Sequence, residues 1–162
     1  MFRLLFLCTG NSARSQMAEA LLNWKGRGRF HAESAGSRPA DRVNPHAIEA
    51  LREHNIPWSG RAPRSIDGLE REPWDFVVTV CDRAKESCPI FPGQPILAHW
   101  GMPDPAEAAG DAAAKRAAFR DAFVLISRRV DLLLALPLEK LERLALEARL
   151  RAIGKTTGEG TG

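Results

Sequence analysis

The stretch that most constrains this chain is Cys8-Thr9-Gly10-Asn11-Ser12-Ala13-Arg14-Ser15. An apolar run, Leu4 to Leu7, leads into it, and an amphipathic run, Gln16 to Trp24, leads out. That order predicts a strand, a tight loop and a helix start. Cys8 then sits at the carboxyl end of the strand. If the loop curls, the backbone N–H groups of Thr9, Gly10, Asn11, Ser12, Ala13 and Arg14 converge in front of the sulfur. Such a nest at a helix N-terminus binds a tetrahedral oxyanion. Arg14 would clasp two of its oxygens, and the same positive field would lower the pKa of Cys8 toward a thiolate. Ser15 can donate a hydrogen bond to the sulfur. Gly10 permits the turn, and Asn11 tolerates a left-handed conformation. The plainer reading is a small buried residue ending a strand before an ordinary helix. A Cys with Gly at +2, Arg at +6 and Ser at +7 favours a nucleophile.

The remaining pattern alternates strands and helices. Arg3–Leu7 is apolar on both faces, as a central parallel strand should be. The helix after the loop presents Met17, Ala20, Leu21 and Trp24 to the core. Phe30–Ala35 reads as a strand and Pro45–His54 as a helix with Pro in its first turn. Ser65 is expected to cap a short helix through Leu69. Trp74–Val80 and Ile96–Trp100 read as strands. Asp111–Leu136 is a long amphipathic helix that Pro137 breaks, and Leu138–Ile153 is another. Gly154–Gly162 has nothing to bury and reads as a disordered tail, leaving residues 1–153 as one domain. The class is therefore α/β with a parallel sheet covered on both sides.

Composition narrows the functions. The 162 residues suit a single full core. A net charge of +3, from 23 basic and 20 acidic residues, is too balanced to argue for nucleic acid or a membrane surface. No apolar run approaches the roughly 20 residues that span a bilayer. The N-terminus lacks a signal-peptide pattern, so a cytoplasmic protein is expected. Three cysteines in a reducing compartment are poor structural staples, and Cys81 and Cys88 have no His at metal-ligand spacing. No metal site is expected from them.

Two further motifs carry chemistry. Asp104 lies in His99-Trp100-Gly101-Met102-Pro103-Asp104-Pro105-Ala106, stiffened by Pro on both sides. A carboxyl group held over the oxyanion can protonate a leaving oxygen; an Asp that merely orders a turn is the bland alternative. Cys81 follows the Trp74–Val80 strand, and Cys88-Pro89 follows the polar segment Asp82–Ser87. Cys81 therefore shares with Cys8 the sheet edge where such folds place ligands.

Cys-Thr-Gly-Asn-Ser-x-Arg-Ser at the N-terminus resembles the phosphate-binding loop of the low-molecular-weight protein tyrosine phosphatase superfamily. The segment around Asp104 resembles that superfamily's general-acid loop. Its phosphatases usually carry Tyr after the Asp-Pro pair, but here Ala106 follows and the chain contains no Tyr. His-Trp-Gly-x-x-Asp-Pro-Ala, together with Val-Cys-x6-Cys-Pro at Val80–Pro89, is similar to the thioredoxin-coupled arsenate reductase branch.

The resemblance implies a three-layer α/β/α fold whose four-stranded parallel sheet has the order 2-1-3-4. It implies that Cys8 attacks arsenate, held by Arg14 and the loop amides, while Asp104 protonates the departing hydroxyl. Cys81 then attacks Cys8 and arsenite leaves; Cys88 attacks Cys81 and frees Cys8. A helical Asp82–Ser87 would hold Cys81 and Cys88 near 10 Å apart, at about 1.5 Å per residue. This segment is thus expected to be mobile and to unwind on oxidation. No tightly bound cofactor is expected; electrons would come from thioredoxin, with glutaredoxin or a low-molecular-weight thiol as other donors. The alternative is a phosphatase that hydrolyses phosphomonoesters through a Cys8 phospho-intermediate. Asn11, Glu19 and Ser34 also match positions that bind a potassium ion in some relatives, although Ile66 stands where those supply an Asp, with Asp67 beside it. Ala13 stands where many relatives carry a second loop Cys.

Overall fold

A computed structural model describes residues 1–86 and 88–157. Four strands, β1 (Phe2–Cys8), β2 (Phe30–Gly36), β3 (Phe76–Thr79) and β4 (Ile96–His99), form one parallel sheet in the order β2-β1-β3-β4. This is the strand order that the resemblance implied. Strand β1 is central, and Leu4 through Cys8 are all buried, which is why its apolar run does not alternate. The helices are α1 (Arg14–Lys25), α2 (Pro45–Glu53), α3 (Asp82–Glu86), α4 (Ala112–Leu134) and α5 (Arg143–Ile153). Among the described residues, no helix is long and apolar enough to cross a membrane.

Most expected elements form, with informative differences. Helix α1 buries Met17, Ala20 and Leu21, but Trp24 is 41% exposed. It lies in the last turn of α1, and the Arg27 guanidinium stacks 4.0 Å from its ring. Ser65 does not open a helix. Its backbone makes an isolated parallel bridge with Gly36, and only a single 3₁₀ turn follows at Leu69–Arg71. The expected helix from Leu138 to Ile153 is split into a 3₁₀ turn, Leu138–Lys140, and α5. Helix α5 packs along β4, with Leu146, Leu150 and Ile153 buried and the Trp100 indole N–H donating to the Leu150 carbonyl.

The segment after α5 does find partners. Arg129, buried in α4, donates to the carbonyls of Trp100 and Gly101 and to those of Gly154 and Thr156. One guanidinium thus ties the chain through Thr156 to the loop after β4. The tail proposed from Gly154 is anchored over its first residues, and residues 158–162 lie outside the described part.

Candidate active site

The loop after β1 closes around the Cys8 sulfur. The Asn11 N–H donates to Cys8 Sγ over 3.0 Å, and Ser15 Oγ lies 2.8 Å from it. Asn11 adopts the left-handed conformation at φ 51°; Gly10, expected to permit the turn, is not in that region. The small residue that the turn needs is Gly36, at the end of β2. A Cβ built there would stand 2.3 Å from the Thr9 carbonyl oxygen and 3.0 Å from the Asn11 nitrogen. Backbone bonds from Ser37, Arg38 and Ala40 to the carbonyls of Cys8, Thr9 and Gly10 fasten the loop to the chain after β2, and Asn44 bonds likewise to Ser12.

The Cys8 thiol is pushed up from its ordinary pKa, not down as the positive field suggested. Burial is the main cause; the Ser15 hydroxyl, the Asn11 N–H and Arg14 pull the other way without offsetting it. Arg14, half-buried, turns its guanidinium to the opposite wall. Its Nη1 donates to the Met102 carbonyl over 2.9 Å, and its Nη2 lies 3.7 Å from Asp104 Oδ2. Asp104 combines the two uses weighed from the sequence. Its Oδ1 accepts from the Ala106 N–H and caps the turn Pro105–Glu107, leaving Oδ2 toward Arg14. One oxygen fixes the loop and the other faces the site.

Cys81 and Cys88 come to the same edge. Cys81 Sγ lies 3.3 Å from Thr9 Oγ1 in the loop, and Cys88 lines one small crevice together with Cys8, Ser37, Ile66 and Ala84. Cys88 also lines a surface groove of about 510 Å³ with Thr79, Leu97 and His99. All three cysteines are free thiols, and burial pushes the Cys88 thiol up as well. Cys81 and Cys88 flank α3, so the polar segment is helical from Asp82 to Glu86; Ser87 lies outside the described residues. His99 pins the start of α3: its Nδ1 meets Thr79 Oγ1 at 2.7 Å and its Nε2 meets Asp82 Oδ1 at 2.9 Å. Asp82 is an acceptor only, so Nε2 carries the proton.

The architecture and the loop are those of a known group. A family model, low molecular weight phosphotyrosine protein phosphatase, matches residues 3–147. The chain belongs to this family. Within it, the chain is 40% identical over 125 residues to an arsenate reductase from Halalkalibacterium halodurans, covering 77% of this chain and 89% of that one. A solved arsenate reductase in a phosphate-binding state superposes with a TM-score of 0.72 at 30% identity, over 83% of this chain and 98% of that one. A thioredoxin-dependent arsenate reductase from Corynebacterium glutamicum gives 0.62 at 26% identity, over 83% and 60%. The chain is thus an enzyme of this family's arsenate reductase branch.

Asn11, Glu19 and Ser34, named for a monovalent cation, do meet underneath the loop. The Glu19 carboxylate, however, is already paired with the guanidinium of Arg61. Sequence reasoning passed over Arg61, Arg64, Arg129 and the bridging role of His99. Arg61 and Arg64 sit in a Pro-interrupted connector without periodicity. Only the tertiary contacts of these residues reveal them.

Proposed function

We propose that this protein reduces arsenate to arsenite through three thiols. Cys8 attacks arsenic in the loop, Arg14 and the amides of Thr9 through Arg14 hold the oxyanion, and Ser15 supports the sulfur. Asp104 Oδ2 gives a proton to the hydroxyl that leaves arsenic. The Cys81 thiolate then attacks Cys8 Sγ. The S–As bond breaks and its electron pair stays on arsenic, which departs as As(III). Cys88 attacks Cys81, returning Cys8 as a thiolate and leaving a Cys81–Cys88 disulfide. Two electrons have passed to arsenic, and a dithiol donor restores them by exchange.

The observation that carries this reading is Cys81 Sγ at 3.3 Å from Thr9 of the loop, with Cys88 lining the Cys8 crevice. A phosphatase needs neither thiol there. Closing Cys81–Cys88 requires their Cα atoms within about 7 Å, which a helical α3 does not allow. Helix α3 therefore unwinds in this step. Thioredoxin is the donor we assign, by likeness to the thioredoxin-dependent relative, and the groove beside Cys88 gives it access. The work belongs to the cytoplasm, where thiols stay reduced.

The test is arsenate-dependent NADPH oxidation with thioredoxin and its reductase, run beside Cys8→Ser, Cys81→Ser and Cys88→Ser. All three variants should lose turnover. The last two should keep any hydrolysis of an aryl phosphate, which uses Cys8, Arg14 and Asp104 alone. Full arsenate turnover without Cys81 or Cys88 would remove the cascade and leave the phosphatase reading. Turnover with glutaredoxin or a small thiol but not thioredoxin would reassign the donor.

A further inference from the structure

The loop stands on a buried chain of hydrogen bonds whose direction the donors fix. Asn11 Oδ1 accepts from the Arg64 backbone N–H over 3.0 Å, a group that can only donate. The Asn11 amide nitrogen therefore faces the other way. It donates to Ser15 Oγ over 2.8 Å and to Ser34 Oγ over 2.9 Å. Each serine, having accepted that bond, has its own proton to place. Ser15 aims its proton at Cys8 Sγ, and Ser34 donates to Glu19 Oε1 over 3.1 Å. Asn11, Ser15 and Ser34 are fully buried, and Glu19 is 4% exposed.

A buried carboxylate without a counter-charge takes up a proton. A neutral Glu19 would carry an O–H on one oxygen and could present it to Ser34, where the carboxylate can only accept. Ser34 would then no longer be held to donating, and its charge-assisted bond to Glu19 would be lost. Among the described residues the counter-charge comes from one place: the Arg61 guanidinium, from the connector between α2 and β3, pairs with Glu19 and lies 3.7 Å from Glu33.

We propose that Arg61 is a positioning residue for the Cys8 nucleophile. Its fixed charge keeps Glu19 an acceptor only, which holds Ser34 as an acceptor for the Asn11 amide and so seats the group that also donates to Ser15 on the sulfur. Arg61 touches neither substrate nor sulfur; it acts through four side chains. The proposal rests on Cys8 being the nucleophile, and the experiment separates the two.

The readout is the pH profile of Cys8 alkylation by iodoacetamide in a Cys81→Ser/Cys88→Ser background, where Cys8 is the remaining thiol. Arg61→Ala should move the profile to higher pH and slow alkylation at neutral pH about tenfold, the effect of one pKa unit on the thiolate fraction. Arg61→Lys should retain the wild-type profile within about threefold, since it keeps the charge. Millimolar guanidinium chloride should partly restore Arg61→Ala and leave the Arg61-containing parent unchanged. In a Glu19→Gln background, Arg61→Ala should add nothing further, because the charge it answers is gone. If Arg61→Ala proves unstable, Arg61→Lys against Arg61→Gln supplies the same comparison. An unchanged profile in folded Arg61→Ala or Arg61→Gln, or additive effects with Glu19→Gln, would overturn the proposal. Retained arsenate turnover in Cys8→Ser would instead overturn the nucleophile, whatever the alkylation profile shows.

Discussion

Gly36→Ala is a small change that the loop around Cys8 cannot absorb in place. Gly36 pairs with Cys8 across β1 and β2, and its added Cβ would stand 2.3 Å from the Thr9 carbonyl oxygen. Ordinary contact begins near 3.4 Å, so one backbone must retreat by about 1 Å. Gly36 itself is held: its N–H donates to the Arg64 carbonyl over 2.9 Å, and its carbonyl accepts from Ile66 over 3.1 Å. The loop must therefore yield, and Asn11, 3.0 Å from the same Cβ, moves with it. Forcing a methyl into such packing costs about 1–3 kcal/mol. For a chain of this size that lowers the melting temperature by about 2–12 °C. A 1 Å misplacement of a reacting group costs about 10²-fold in rate. Calorimetry and arsenate turnover read the two effects, and Gly93→Ala, whose Cβ meets nothing within 4 Å, is the control. A Gly36→Ala protein with wild-type melting temperature and rate would refute the claim that this glycine sets the loop.

Asp104→Asn should slow formation of the first cysteinyl adduct about 10²- to 10⁴-fold while phosphate binding changes little; an equal loss of binding would leave Asp104 as a turn former only. Burial keeps the Cys8 and Cys88 thiols protonated longer in the folded state than in the unfolded one. That contribution to stability is complete below the ordinary thiol value of about 8.5 and is lost as pH rises through the raised folded values, so the melting temperature should fall with alkali in the wild type and less in Cys8→Ala/Cys88→Ala. Arg129→Leu leaves the carbonyls of Trp100, Gly101, Gly154 and Thr156 without their donor and should cost about 2–4 kcal/mol by urea unfolding. A loss under about 0.5 kcal/mol would mean that water replaces the guanidinium.

What the sequence revealed was whatever is local. The strand–loop–helix around Cys8 is contiguous, so its apolar run, its turn residues and its helical period are read from neighbouring positions. Asn11 in the left-handed region and Ser15 on the sulfur follow from the same eight residues. Gly36 was hidden because its constraint comes from a carbonyl on another strand. Arg61 and Arg64 were hidden because a connector has no periodicity and their partners lie in α1, β2 and the loop. The pKa direction at Cys8 escapes the sequence for a related reason. Counting donors near the sulfur is possible from sequence, whereas burial depends on the whole packed chain.

The placement of the thiols follows from register more than from motif. Val80 donates to the Leu7 carbonyl, and Leu7 pairs with Thr79, so parallel β1 and β3 end together and Cys81 emerges beside the Cys8 loop. Cys88 depends instead on the length of the crossover. Parallel strands are usually joined by a helix long enough to cover the sheet, yet α3 has five residues. Each further helical residue would carry the third thiol about 1.5 Å farther from the second. The short helix leaves part of β4 uncovered, with Leu97 44% exposed in the groove beside Cys88. Apolar burial is given up here at the place where the proposed cascade needs two sulfurs to meet and a donor to reach them. Lengthening α3 by one turn of alanines should cover Leu97 and raise stability. It should also slow closure of the Cys81–Cys88 disulfide. Faster closure in that variant would mean that the length of α3 was not set by the thiols.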